Sequence, residues 1–324
     1  MSLHRRDFVT ALAGGVGFSR VMGQPTRPLP KIGYLHPRTI AADHPTLVIL
    51  RTAWRRLGYV EGESVLLRSA GNDLARVPAL MNELIGLGAG VVIVVGAAAL
   101  QEATKATRTT PIVGIDLESD PVRAGYAASF ARPGGNVTGL FLDQPSIAGK
   151  WIDLLREAAP DMERLVILWD ASTGQDQLEI AKAASRAKGY EASVLVLGTI
   201  RDFDAALRPF AGRPRTGIVQ LTSPGFIVLA ASFAAAARKY RLPAISFLKS
   251  YAQAGVLMTY GPVQDAYFGR AVVMADQILK GARPGDIPIE GPDRFELVIN
   301  RDTAKQMGLV IPQALLLRAD ELVP

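Results

Sequence analysis

From Lys31 onward, short runs rich in Ile and Val alternate with stretches of helical periodicity. Lys31 to Leu35, Val65 to Arg68, Val91 to Val95, Ile112 to Asp116 and Asn136 to Leu142 read as strands bounded by Gly or Pro. Between the first two, Leu47, Leu50, Trp54 and Leu57 recur on one helical face, and Gly58 is placed to end that helix. The pattern then restarts. Ser146 is a candidate cap for a helix carrying Ile147, Trp151, Leu154, Leu155 and Ala158 on one face. Leu165 to Trp169, Ala192 to Leu197, Gly217 to Leu221, Ala244 to Leu248 and Val256 to Tyr260 follow as strands, again with helices between.

Repeated strand–helix alternation makes a mostly parallel sheet covered by helices on both faces. Two such units predict an α/β protein of two doubly wound parallel-sheet lobes. After them come one strong helix, Asp265 to Lys280, stopped by Gly281, and one strand, Phe295 to Asn300. Those pieces are too few for a third domain, so they return to complete the earlier sheets through about three crossovers. The expected division is lobe 1 at 31–142, completed by about 264–289, and lobe 2 at 143–263, completed by about 290–324. Gly- or Pro-interrupted crossings at Leu140 to Pro145, Gly261 to Gln264 and Glu290 to Asp293 are the expected hinge.

The N-terminal segment changes the expected location. Arg5, Arg6 and Phe8 precede a short apolar run, Ala11 to Phe18, with the small residue Gly23 ahead of Gln24. This is the pattern of an export signal over residues 1–24, of the twin-arginine kind that addresses a folded protein. The run is far short of the ~20 residues of a membrane span. The chain has no cysteine, which removes disulfides, thiol catalysis and the cysteine that a lipid anchor needs. A soluble, unanchored periplasmic protein is expected. The formal net charge is +6, of which the signal segment carries +2. The remaining basic residues form no run, so nucleic acid is not an expected partner.

Several segments resemble the ABC-transporter substrate-binding family that includes tryptophan- and tyrosine-uptake components. They are Leu57 to Gly62, Ser119 to Val122, Ala131 to Gly139, Tyr251 to Gly255, Tyr260 to Pro262, Phe295 to Asn300 and Leu317 to Glu321. The resemblance spans the mature chain in the family's order. It implies a class I periplasmic-binding fold that closes on a small solute and delivers it to a permease in the inner membrane, as a monomer, with no cofactor. The chain departs from the family at two loops. Gly96 is followed by Ala97 and Ala98 where the family carries Thr or Ser, and Trp169 and Asp170 stand where it carries Asn-Pro.

Ligands of parallel α/β sheets gather beyond the carboxyl ends of the strands. In lobe 1 those positions hold Tyr34, His36, Gly96, Ala97, Ala98, Asp116 and Glu118; in lobe 2 they hold Trp169, Asp170, Ser223, Phe226, Phe247, Lys249 and Tyr260. Five aromatics at or past strand ends suggest a flat ligand held between lobes. Gly96 to Ala98 opens a helix whose free N–H groups suit a carboxylate, with Lys249 as a second anion partner. Asp116, Glu118 or Asp170 would take an amine. His44 lies beyond the strand-end set and is not assigned. The expected ligand is therefore a small aromatic or amino-acid-like carboxylate. No P-loop, G-x-S-x-G, H-E-x-x-H or dinucleotide pattern occurs, and neither a catalytic nor a metal residue is assigned. The alternatives are an exported hydrolase using the same crevice, or a ligand-sensing module of a membrane signalling protein.

Overall fold

The computed structural model describes residues 30–142, 144–173, 175–197, 202–211, 216–223, 226 and 229–324. The export segment expected at 1–24 lies outside them, as does Pro224. In chain order the first lobe builds β1 (Lys31–His36), α1 (Pro45–Arg56), β2 (Val65–Ser69), α2 (Val77–Gly86), β3 (Ala89–Val95), α3 (Ala97–Ala106), β4 (Ile112–Asp116) and β5 (Val137–Phe141). The chain then crosses to α4 (Gln144–Ala158), β6 (Arg164–Trp169), α5 (Asp176–Ala187), β7 (Ala192–Val196), α6 (Phe203–Leu207), β8 (Thr216–Gln220), α7 (Ala230–Lys239), β9 (Ala244–Ser246), α8 (Lys249–Gln253) and β10 (Met258–Pro262). It ends with α9 (Gln264–Leu279), β11 (Phe295–Asn300), α10 (Arg301–Met307), α11 (Gln313–Leu316) and β12 (Glu321–Val323).

Two sheets result, ordered β2-β1-β3-β4-β5 and β12-β11-β10-β9-β8-β6-β7. Among the described residues every pairing is parallel except β10 with β11. The α/β fold of two doubly wound lobes follows from residues that match their elements. In α1, Leu47, Leu50 and Trp54 are buried against the first sheet, and Gly58, at φ +84°, turns the chain back so that Tyr59 N–H donates to Trp54 O at 2.9 Å. The β4 and β5 strands approach too closely for side chains at one point. A Cβ on Gly139 would stand 2.0 Å from Gly114 O.

The chain passes between the sheets three times, after β5, after β10 and before β11. Although α9 follows a strand of the second sheet, it packs on α1, β3, β4 and β5. The Tyr59 hydroxyl, donating to Asp276 Oδ1 at 3.0 Å, fastens it there. The crossings lie side by side: Glu290 bonds Gly139 and Phe141 at 3.0 Å each, and Val263 N–H reaches Arg294 O at 3.1 Å. The Gly-rich stretch at Ala131 to Gly139 supports this return path. Gly134 N–H donates to Gly285 O at 3.0 Å and Thr138 Oγ1 to Ile287 O at 2.9 Å.

Three local expectations are corrected. The fourth helix begins at Gln144, so Ser146 lies inside its first turn and is not its cap. The β9 ladder stops at Ser246, because Phe247 and Leu248 leave it to line the cleft. The β10 strand runs Met258–Pro262, later than the apolar run that suggested it. Val256 and Leu257 are buried by the approach to the strand, while Gly261 and Pro262 continue the antiparallel ladder with β11.

Candidate functional site

The carboxyl ends of the two sheets face each other across a cleft, and the residues just past them form its walls. From lobe 1 come His36 and Val95, the last residues of β1 and β3, and Leu117 and Glu118 after β4; from lobe 2 come Gln220 at the end of β8 with Leu221 to Ser223 after it, and Ser246 at the end of β9 with Phe247 and Leu248 after it. With His44, Thr46, Tyr251 and Phe268 they enclose an inner cavity of about 570 Å³, its open mouth included. Next to it lies an outer pocket of about 820 Å³, lined by Arg38, Asn72, Gly96, Ala97, Ala98, Asp170 and Ser172 among others.

A polar wall separates the two chambers and joins the lobes. Arg38, in the loop after β1, donates to Asp170 Oδ2 at 2.8 Å. The same oxygen accepts from the Ser223 hydroxyl at 2.6 Å on the inner side, and Ser172 donates to the other oxygen through its N–H (3.0 Å) and hydroxyl (2.7 Å). Burial alone would raise the Asp170 carboxyl. The Ser223 and Ser172 hydrogen bonds and the Arg38 charge outweigh it and hold the group below its ordinary range. Among the described residues, further bonds cross the cleft: Arg38 to the Ser172 hydroxyl at 3.4 Å, Thr222 Oγ1 to Leu117 O at 3.1 Å, and Arg123 to Asp176 at 3.3 Å. The lobes are thus described in a closed arrangement.

The acids of lobe 1 are turned inward. Asp116 is fully buried and braces the turn after β4, accepting from the N–H groups of Glu118 (3.0 Å) and Ser119 (2.9 Å) and from the Ser119 hydroxyl. Glu118, 3 % exposed, lines the inner cavity and accepts the Ala97 N–H at 3.2 Å. The first donor of α3, expected to hold a ligand carboxylate, is therefore occupied by the chain's own acid. Burial, then the charges of Asp116 and Asp170, push the Glu118 carboxyl well above its usual range. His36 is lowered to about 4, chiefly by burial. Burial likewise lowers His44, whose ring lies 6.1 Å from that of His36 and whose two nitrogens have no hydrogen-bond partner among the described residues.

Among the sequence-derived candidates, His36, Glu118, Ser223 and Phe247 line the inner cavity. Gly96, Ala97, Ala98 and Asp170 line the outer pocket. Asp116 sits behind the first wall. The others stand elsewhere. Tyr34 is buried in lobe 1, edge-on to Trp54 at 5.7 Å. Trp169 and Phe226 are buried in lobe 2 and are not part of either wall. Lys249 pairs with Glu321, and Tyr260 stacks on Phe295 at 5.3 Å. A position at a strand end does not decide which sheet face a side chain takes, since successive residues alternate. The strand-end rule omits Thr46, Gln220, Ser246, Tyr251 and Phe268 and leaves His44 unassigned, yet all of them line the cavity.

Comparisons with known proteins agree with this architecture. A solved structure of a conserved domain protein from Vibrio cholerae superposes with a TM-score of 0.80 at 22% identity, covering 91% of this chain and 99% of that one. The ABC domain from Streptococcus pneumonia in complex with L-Trp gives 0.79 at 20% identity, over 90% and 99%. A ligand-free, open substrate-binding protein with adhesive properties from Clostridium difficile gives 0.64 at 20% identity, over 91% and 99%. In sequence, the tyrosine-binding protein of Clostridioides difficile (strain R20291) is 24% identical over 257 residues, 78% of this chain and 73% of that one. The family model for ABC transporter substrate binding proteins matches residues 47–323, nearly the whole described chain, and the protein belongs to that family.

Proposed function

We propose that this protein is the extracytoplasmic receptor of an ABC importer, closing its lobes on a small aromatic solute and presenting the closed form to the permease. One observation carries the reading. The inner cavity is built from the carboxyl ends of both sheets and sealed by bonds that cross the cleft, so a solute held there contacts both lobes at once. Such a ligand favours the closed state by its differential affinity, which is how a two-lobed receptor signals occupancy. The aromatic body is supported by Phe247, Tyr251 and Phe268 in the cavity wall. It is supported also by two similar proteins, one described as tyrosine-binding and one solved with L-Trp. The solute is thus an aromatic amino acid or a relative sharing its ring and amine.

The twin-arginine segment with Arg5 and Arg6 fits this role, delivering a folded, periplasmic product that begins near Gln24. The test is native mass spectrometry of the protein purified from its own periplasm. An aromatic solute released unchanged supports the receptor; a solute converted during incubation supports an enzyme and overturns the proposal. Small-angle scattering adds the mechanical half, since the radius of gyration should fall on binding. Replacing Arg5 and Arg6 with lysine should leave the precursor in the cytoplasm.

A further inference from the structure

The polar groups of the inner cavity carry information about the ligand's charge. Among its described lining residues are His36, His44 and Glu118, but no arginine or lysine. Arg38 lines the adjoining outer pocket, and its guanidinium is bonded to Asp170. The first N–H of α3 is bonded to Glu118. A carboxylate entering this chamber would lose its water, meet no cation, and stand beside Glu118 with Asp116 and Asp170 close behind. Burying an anion without a partner is among the costliest arrangements a protein can make.

The cavity does offer unused hydrogen-bonding capacity of another kind. Both ring nitrogens of His44, which is 5 % exposed, have no partner among the described residues, and neither do Gln220 Oε1 and Ser246 Oγ. His44 and Ser246 can each accept as well as donate, Gln220 Oε1 accepts, and Glu118 accepts once ionised; all are set against the apolar faces of Phe247 and Phe268. We infer that the inner cavity selects an aromatic amine that lacks a carboxylate, its ammonium on Glu118 and its ring against Phe247 and Phe268. This rests on the reading of the cleft as the solute site.

The groups facing Glu118 explain how such a site stays stable when empty. Burial, then the charges of Asp116 on β4 and Asp170 after β6, favour the protonated form of this carboxyl, and Tyr267 on α9 lies within the same field. An ammonium reverses the balance. Glu118 releases its proton to solvent and forms an ion pair with the ligand, so net charge is conserved and one proton leaves for each amine bound.

The experiment is titration calorimetry of the mature chain with tryptamine and tyramine against tryptophan and tyrosine, each in two buffers of different ionisation enthalpy. The expected result is at least tenfold tighter binding of the amines, with an enthalpy that depends on buffer because a proton is released. In Glu118→Gln the amine-to-amino-acid ratio should fall to about one and the buffer dependence should vanish. Should that variant fail to fold, Glu118→Asp, which withdraws the carboxylate by one carbon, should lower amine affinity in the same sense. Amino acids binding as tightly as the amines overturn the inference while leaving the aromatic receptor standing, as does undiminished amine affinity in both variants. If amines, amino acids and uncharged indole all fail to bind, the aromatic-solute reading falls and this inference with it.

Discussion

Removing the Arg38 guanidinium should open the protein by a calculable amount. Its bond to Asp170 crosses the cleft, so it exists in the closed state alone and its energy counts entirely toward closure. The bond is a single N–H···O contact of 2.8 Å, with the arginine side chain 33% and the aspartate 6% exposed. Charged hydrogen bonds contribute roughly 1.5–3 kcal/mol when desolvated, while exposed ion pairs contribute about 0.2–1 kcal/mol. A half-buried pair falls between, at about 1–2 kcal/mol. Asp170 keeps its three serine hydrogen bonds after the arginine is gone, so little further penalty is added. At about 1.4 kcal/mol per tenfold, Arg38→Ala should raise the open-to-closed ratio by about 5- to 30-fold.

The absence of cysteine makes the assay clean, because introduced cysteines are the sole labelling sites. Val122 in lobe 1 and Val196 in lobe 2 are 41% and 45% exposed near the cleft mouth, and spin labels there report the gap by pulsed electron resonance. The Arg38→Ala distance distribution should gain a longer component in the stated proportion. The second cross-cleft pair is the internal control. Arg123 and Asp176 are 63% and 46% exposed at 3.3 Å, so Arg123→Ala should change the ratio by less than about twofold. Equal effects from both variants, or none from Arg38→Ala, would refute the reasoning that burial sets the latch.

Three further outcomes are expected. In Gly261→Ala the new Cβ would stand 1.9 Å from Phe247 O; backbone must shift beside the cavity wall, costing about 3 kcal/mol, and an unchanged urea midpoint would contradict this. Trp169→Ala should lose about 3–5 kcal/mol of stability through a cavity in the lobe 2 core, with ligand affinity in the still-folded fraction changed little, because the indole is not part of the cleft wall. His36, lowered by burial to about 4, binds its proton more readily in the unfolded chain than in the folded one. The folded state therefore keeps its full stability above pH 6.5 and loses up to about 3 kcal/mol as pH falls toward 4; His36→Asn should flatten that loss in pH-dependent denaturation.

The alternation of apolar runs and helical faces was enough to read the two-lobed architecture, because parallel strands buried on both faces are continuous apolar segments. The return of the chain was legible for a similar reason, since one helix and one strand cannot make a core alone. What escaped was direction and extent. Nothing in Phe295 to Asn300 distinguishes an antiparallel strand from a parallel one; its direction is set by the crossing at Glu290 to Arg294. The three-residue edge strand at Glu321 to Val323 is too short to carry a period. The Gly-rich family segment around Gly134 turned out to hold the returning chain, so its strong pattern marks packing between distant segments.

The site was half legible, and the missing half has a common cause. Aromatics at strand ends were read as a stacking surface, yet of Tyr34, Trp169, Phe226, Phe247 and Tyr260 the cavity wall takes Phe247. The carboxyl edge of each sheet is also where a lobe's core meets the cleft, and large rings seal it from within. Strand ends are moreover only one of two elements at that edge. In a strand–helix unit the first turn of the following helix lies beside the strand end it came from. His44 and Thr46 enter the cavity at the start of α1, Tyr251 on α8 after β9, and Phe268 on α9 after β10. Each stands within about two turns of a helix start, and of these starts the sequence pattern located that of α9 alone. The same edge rule explains why the seat at Ala97 attracted an acid at all: the α3 donors face the loop after β4, and Glu118 is the anion that loop supplies. A helix start at this edge is therefore an anion seat that the loop of the neighbouring strand can fill from within the chain, as Glu118 fills the one at Ala97.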